Sequence, residues 1–194
     1  MSDKEFLNRL KLFGMDNLTL EKDLLKLEKS GINVGRGQFL KSEEVVDTDL
    51  FESEILTRGR KMADFYVLYY AIENTIRELI SDRMTEKHGA TWWTTKVPEN
   101  VKKEVKERQE REKDTPMAIR SNDPLSYSTF GELIVILDAN WIDFADTIRS
   151  QKAMQKILSE LNSLRGVVAH SSDLSDDDID RLKLLIRDWL RIQT

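Results

Sequence analysis

Apolar side chains recur along this chain mostly at intervals of three and four, the period that puts them on one face of a helix. The first long stripe runs over Glu54–Lys87, where Met62, Phe65, Tyr66, Tyr69, Ile72, Ile76, Leu79 and Ile80 share a face. A second predicted helix follows a cap at Ser128 or Thr129, with Leu133, Ile134, Leu137, Trp141, Phe144 and Ile148 as its buried stripe. A third spans Gln151–Leu164 through Met154, Ile157, Leu158, Leu161 and Leu164. A fourth is capped by Ser175 and opens on Asp176, Asp177 and Asp178, which suit the positive end of a helix. It buries Ile179, Leu182, Leu185, Ile186, Trp189 and Leu190. The expected fold is all-α: a bundle of about four main helices.

Two further parts surround that bundle. Residues 1–50 read as a helical N-terminal extension to the bundle domain at 51–194. It holds one stripe at Phe6, Leu7, Leu10 and Phe13, ended by Gly14. A second, at Leu20, Leu24 and Leu27, follows a cap at Asn17 or Thr19 and ends at Gly31. Gly31–Gly37 is a glycine-containing connector; no Lys-Ser/Thr pair follows it, as a phosphate loop requires. Between the first and second main helices lies a charged insertion. Pro98 suits a helix start, and Glu99–Lys113 has only Val101 and Val105 as apolar residues, which predicts a solvated, projecting helix. At Trp92-Trp93 two adjacent rings cannot face one way, so one is expected to plug a gap between helices.

Composition narrows the chemistry. The 194 residues include no cysteine, two histidines and a net charge of -5. Thiolate metal sites and disulfides are excluded, and a zinc site has too few ligands. No run approaches the ~18 apolar residues of a membrane span, so the cytoplasm is the expected address. Net acidity argues against a general nucleic-acid coat, because phosphate binding needs clustered Lys and Arg. It leaves open a local basic cleft or a protein-binding module.

Two charges break the apolar stripes. Glu73 lies angularly between Tyr66 and Ile80, and Arg165 lies between Leu158 and Leu161. An unpaired buried charge costs several kcal/mol, roughly, so the economical arrangement pairs the two inside the bundle. His170 follows Arg165 by five residues, about 140° around a straight helix. The two share a site only if the helix bends near Gly166, ends before His170, or meets a second subunit. His88, beside Gly89 at a helix end, reads as structural.

Arg165-x-x-x-x-His170 at the C-terminal end of an all-helical domain resembles the signature of the HEPN superfamily (higher eukaryote and prokaryote nucleotide-binding domains). Tyr69-Tyr70-Ala71-Ile72-Glu73-Asn74-Thr75-Ile76-Arg77, Thr91-Trp92-Trp93, Val97-Pro98, Phe130-Gly131 and Asn140-Trp141 resemble its Swt-type endoribonuclease branch. The resemblance covers roughly residues 55–194. It implies a metal-independent, cofactor-free RNA endonuclease working as a homodimer. It also implies the setting of a bacterial toxin or phage-defence effector with a partner protein. Arg165, His170 and Glu73 are the expected catalytic residues, and Arg77 and Asn74 are assigned to substrate binding. The alternative is an inert helical module that recruits a partner. Two positions depart from the pattern. Many members carry Asn or another polar residue after the arginine, where this chain has Gly166. Some toxins carry a modifiable Tyr two residues after the histidine, where this chain has Ser172.

Overall fold

The structure is a computed structural model that describes residues 20, 22–24, 26–27 and 50–193. The chain divides into two units, Met1–Phe51 and Glu52–Thr194. In the first, Leu20, Leu24 and Leu27 have helical backbone, Leu20 and Leu27 are exposed, and Lys26 pairs with Asp23 at 2.8 Å. The stripe at Phe6–Phe13, the stops at Gly14 and Gly31, the caps at Asn17 and Thr19 and the Gly31–Gly37 connector lie outside the described residues.

The second unit is all-α. Its helices are α1 (Ser53–His88), α2 (Trp92–Lys96), α3 (Glu99–Lys113), α4 (Phe130–Ala139), α5 (Trp141–Phe144), α6 (Gln151–Ala169) and α7 (Asp176–Ile192). No strand occurs among the described residues; one isolated bridge joins Ile148 to Gln193. The four main helices of the bundle are α1, α4, α6 and α7. α1 packs on α4, α5 and α6, and α6 packs on α4 and α7. Ile76, Ile80 and Met84 of α1 meet Phe130, Leu133, Ile136 and Leu137 of α4, Leu158 and Leu161 of α6, and Leu182 of α7 in one core. Each such side chain contributes about 1.5–3 kcal/mol by leaving water.

Local signals set most helix ends. Thr129 and Ser175 each form a capping box, with Glu132 and Asp178 returning the bond. α1 ends at Gly89, whose φ of 66° and ψ of -166° lie in a region that only glycine occupies freely. His88 closes the same corner through Asp143, Nε2 to Oδ2 at 2.7 Å, the structural role expected of it.

Several elements differ from their patterns, each for a physical reason. The helix expected to run from Thr129 to Ile148 breaks at Asn140. The buried Asn140 amide donates to the Ile136 carbonyl at 2.9 Å and the Lys96 carbonyl at 3.3 Å, interrupting the helical ladder. α3 does not project as a solvated helix. Val101 and Val105 are each 1% exposed, and Arg108 donates to the Tyr127 carbonyl and to Glu132. Tyr66 and Leu190 were expected in the core and stand in solvent. α1, at 36 residues and about 54 Å, outruns the helices that cover it. At the far end of α7 it is Ile192, not Leu190, that turns inward. Trp92 is the ring that fills a gap, with Trp93 edge-on to it at 5.6 Å.

The Arg108–Glu132 pair predicts an acid response. Burial works to raise the Glu132 carboxyl, but Arg108 and Thr129 outweigh it and hold it below the usual carboxylate range. Tyr127 and Arg120 lower Glu112, and Arg83 lowers Asp146. A carboxylate held below its unfolded value adds stability above that value and loses it as pH falls through the folded value. The urea midpoint is therefore expected to drop steadily as pH falls below about 4.5. Arg108→Leu should flatten that dependence, and a midpoint constant from pH 5 to 3 contradicts the account.

Candidate active site

α6 runs five residues beyond its expected end at Leu164, so Arg165 and Gly166 are helical. Gly166 costs a helix only about 1 kcal/mol, and the partly buried Val167 and Val168 pack against the core to offset it. The helix then stops directly before His170. Ser171 takes a left-handed φ of 57°, its N–H donates to the Val168 carbonyl at 3.1 Å, and the Ser172 N–H donates to the Val167 carbonyl at 3.0 Å. This is a Schellman turn with serine at the position that favours glycine. Ser171→Gly is expected to raise stability by about 1 kcal/mol, read as a melting-temperature gain of about 2–4 °C. A loss of stability would show that the Ser171 side chain contributes something the backbone does not reveal.

Glu73 is the junction of the site. Its Oε2 accepts from Arg165 Nε at 3.1 Å, across 92 residues of sequence. Its Oε1 accepts from Arg77 Nη2, one helical turn along α1. Arg77 also donates to Asn74 Oδ1 at 3.1 Å and to the Ser128 carbonyl at 3.0 Å. Asn74 in turn donates to the Tyr70 carbonyl at 2.8 Å. The glutamate and arginine that interrupt two separate apolar stripes are therefore one ion pair.

These residues line a cavity of about 380 Å³. α1 supplies Tyr66, Tyr69, Tyr70, Glu73, Asn74 and Arg77, positions that fall on one helical face. α6 supplies Arg165, Val168 and Ala169. The segment after α3 supplies Arg120, which sequence reasoning missed. Arg120 lies in a stretch without periodicity, and no spacing rule points to it. Arg77 and Arg165 share the single carboxylate of Glu73, and Arg120 is paired with Glu112 behind the wall, so the three arginines leave the wall cationic by one charge in a chain of net charge -5. Burial pushes the Tyr69 phenol far above its ordinary range, against the opposing pull of Arg165, so it remains a neutral donor.

His170 is placed differently. It is the exposed residue that caps α6, next to Ala169 of the cavity wall, and it is not itself part of that wall. Arg165, Glu73, Asn74 and Arg77 are thus brought together, and His170 stands at the edge. No described helix is long and apolar enough to cross a membrane, and no cluster of three or more potential metal ligands occurs among the described residues.

The all-α unit carries Arg165 near the end of α6 and His170 directly after it, five residues apart. Residues 68–192 match the family model described as Swt1-like HEPN, and the chain belongs to that family. No curated protein and no solved structure matches the chain.

Proposed function

We propose that this protein is a metal-independent RNA endonuclease. The observation that carries the reading is the Arg165–Glu73 pair set in a cationic cavity within the family-matched region. In the proposed step a ribose 2′-oxygen attacks the adjacent phosphorus, and the bond from phosphorus to the 5′-oxygen breaks. His170 exchanges the protons, taking one from the 2′-hydroxyl or giving one to the departing 5′-oxygen. Arg165 bridges the phosphate oxygens as charge builds. Glu73 holds Nε of Arg165 and leaves both Nη groups for the phosphate. Asn74 and Arg77 complete the substrate wall, with Arg77 braced on Glu73 and Ser128.

In this reading the protein is a homodimer, and a second copy supplies a second Arg–His pair to one cleft. Its setting is that of a cytoplasmic toxin or phage-defence effector with an antitoxin or defence partner. The test is cleavage of mixed RNA by wild type in EDTA. Products ending in 2′,3′-cyclic phosphate and 5′-hydroxyl support the reading, and cutting of a fully 2′-deoxy substrate overturns it. One observation favours a second reading, an inert module that recruits a partner protein: His170 lies outside the cavity wall of the single chain. An intact wild type that leaves RNA uncut yet co-purifies with the product of a neighbouring gene selects it.

A further inference from the structure

Two features of the cavity remain without a role in cleavage. Tyr66 and Tyr70 are successive turns of α1, with ring centroids 6.3 Å apart and 36° between planes. They are 63% and 62% exposed. Large aromatic rings normally dominate burial, so two neighbouring rings in solvent mark a surface with something to bind. The second feature is Arg120. Its guanidinium lies over the Tyr127 ring at 4.8 Å and its Nε donates to Glu112 Oε1 at 3.0 Å. These contacts fix the side chain and leave both Nη groups without a hydrogen-bond partner among the described residues.

We propose that the Tyr66–Tyr70 pair is a base-stacking platform for single-stranded RNA, with Arg120 gripping a backbone phosphate beside the one at Arg165. This deepens the endonuclease reading and rests on it for the identity of the ligand. Charge decides the class of partner. A docking peptide or a second copy would account for exposed rings. It does not account for three arginines on the same wall, two of which keep free Nη groups. A nucleic acid strand answers both, because each nucleotide brings one π-face and one phosphate. Stacking tolerates any base, so the platform adds affinity and positions the strand without selecting a sequence. Double-stranded RNA keeps its bases stacked on one another, so the platform favours unpaired segments.

The test is fluorescence anisotropy with a labelled ten-nucleotide single-stranded RNA and the same backbone made abasic at its centre. It is run with wild type, Tyr66→Ala, Tyr70→Ala, Tyr70→Phe and Arg120→Ala. Each alanine replacement of a tyrosine is expected to weaken binding about 5- to 150-fold. Tyr70→Phe should bind like wild type, and the abasic strand should gain nothing from either ring. Arg120→Ala should weaken both strands alike and reduce the salt dependence of binding. Unchanged affinity in both tyrosine variants overturns the platform, even if the wild type cuts RNA. Sedimentation of the same variants provides a second check: alanine variants that turn a dimer into a monomer make the rings a subunit interface and overturn it too. A wild type that binds RNA through the tyrosines without cutting it supports the platform and removes the endonuclease reading. A wild type that does not bind RNA removes both.

Discussion

RNA cleavage by His170→Ala is expected to fall by about 10²–10⁴-fold, the usual contribution of a positioned general acid or base. The variant should fold normally, because His170 is exposed and its structural work is done by its backbone N–H, which donates to the Gly166 carbonyl at 3.1 Å. A matching melting temperature separates lost chemistry from lost structure. Arg165→Ala should lose about 10²–10³-fold, in line with removal of one donor to a developing oxyanion. Arg165→Lys should recover only part of it. Lysine keeps the charge, but a single ammonium cannot bond Glu73 and still present a planar fork to phosphate. Cleavage by His170→Ala within threefold of wild type, in chelator, would end the case for His170 as the proton carrier.

Removal of the Glu73 carboxylate is expected to have the largest effect on stability. Its side chain is 14% exposed and it neutralises two guanidiniums, Arg77 at 19% and Arg165 at 35%. Glu73→Ala leaves both without a counter-charge. Breaking a fully buried pair costs about 3–5 kcal/mol, and the partial exposure of Arg165 reduces this to about 2–4 kcal/mol. For a domain of this size the melting temperature should fall by roughly 4–16 °C. Glu73→Gln should fall between, since the two arginines bond different carboxylate oxygens and the amide puts an NH2 in place of one of them. A shift below about 2 °C for Glu73→Ala would mean that water already screens the junction and that the ion pair does not hold α6 to α1.

The helices were legible because burial imposes a period. Ile76, Ile80, Leu158 and Leu182 are where the stripes put them, as are the caps at Thr129 and Ser175. Glu73 and Arg165 were legible for the opposite reason, as charges where the period demands apolar atoms. Tyr66 obeys the same period and is exposed, because periodicity says which residues share a face and not how far along the helix a neighbour covers it. The break at Asn140 hung on one amide finding two carbonyls, one of them 44 residues away. Arg120 was invisible because its place depends on Glu112 and Tyr127 rather than on any repeat.

The turn after α6 has a consequence for how the two main candidates are held. Arg165 is anchored at Nε, so its fork already points in one direction. The backbone of His170 is equally fixed by the bonds around Ser171, but its exposed ring makes no hydrogen bond among the described residues. It is free to sample the staggered wells about its first torsion, commonly three. With the broad, roughly two-fold second torsion of the imidazole, selecting one of about six orientations costs roughly 1 kcal/mol, about a sixfold factor in population. A ligand or second subunit that settles the ring adds no more than that by ordering alone. Any larger activation must come from groups that the ligand or second subunit brings to the site, such as a second Arg–His pair, or from contacts that change the ring's chemistry.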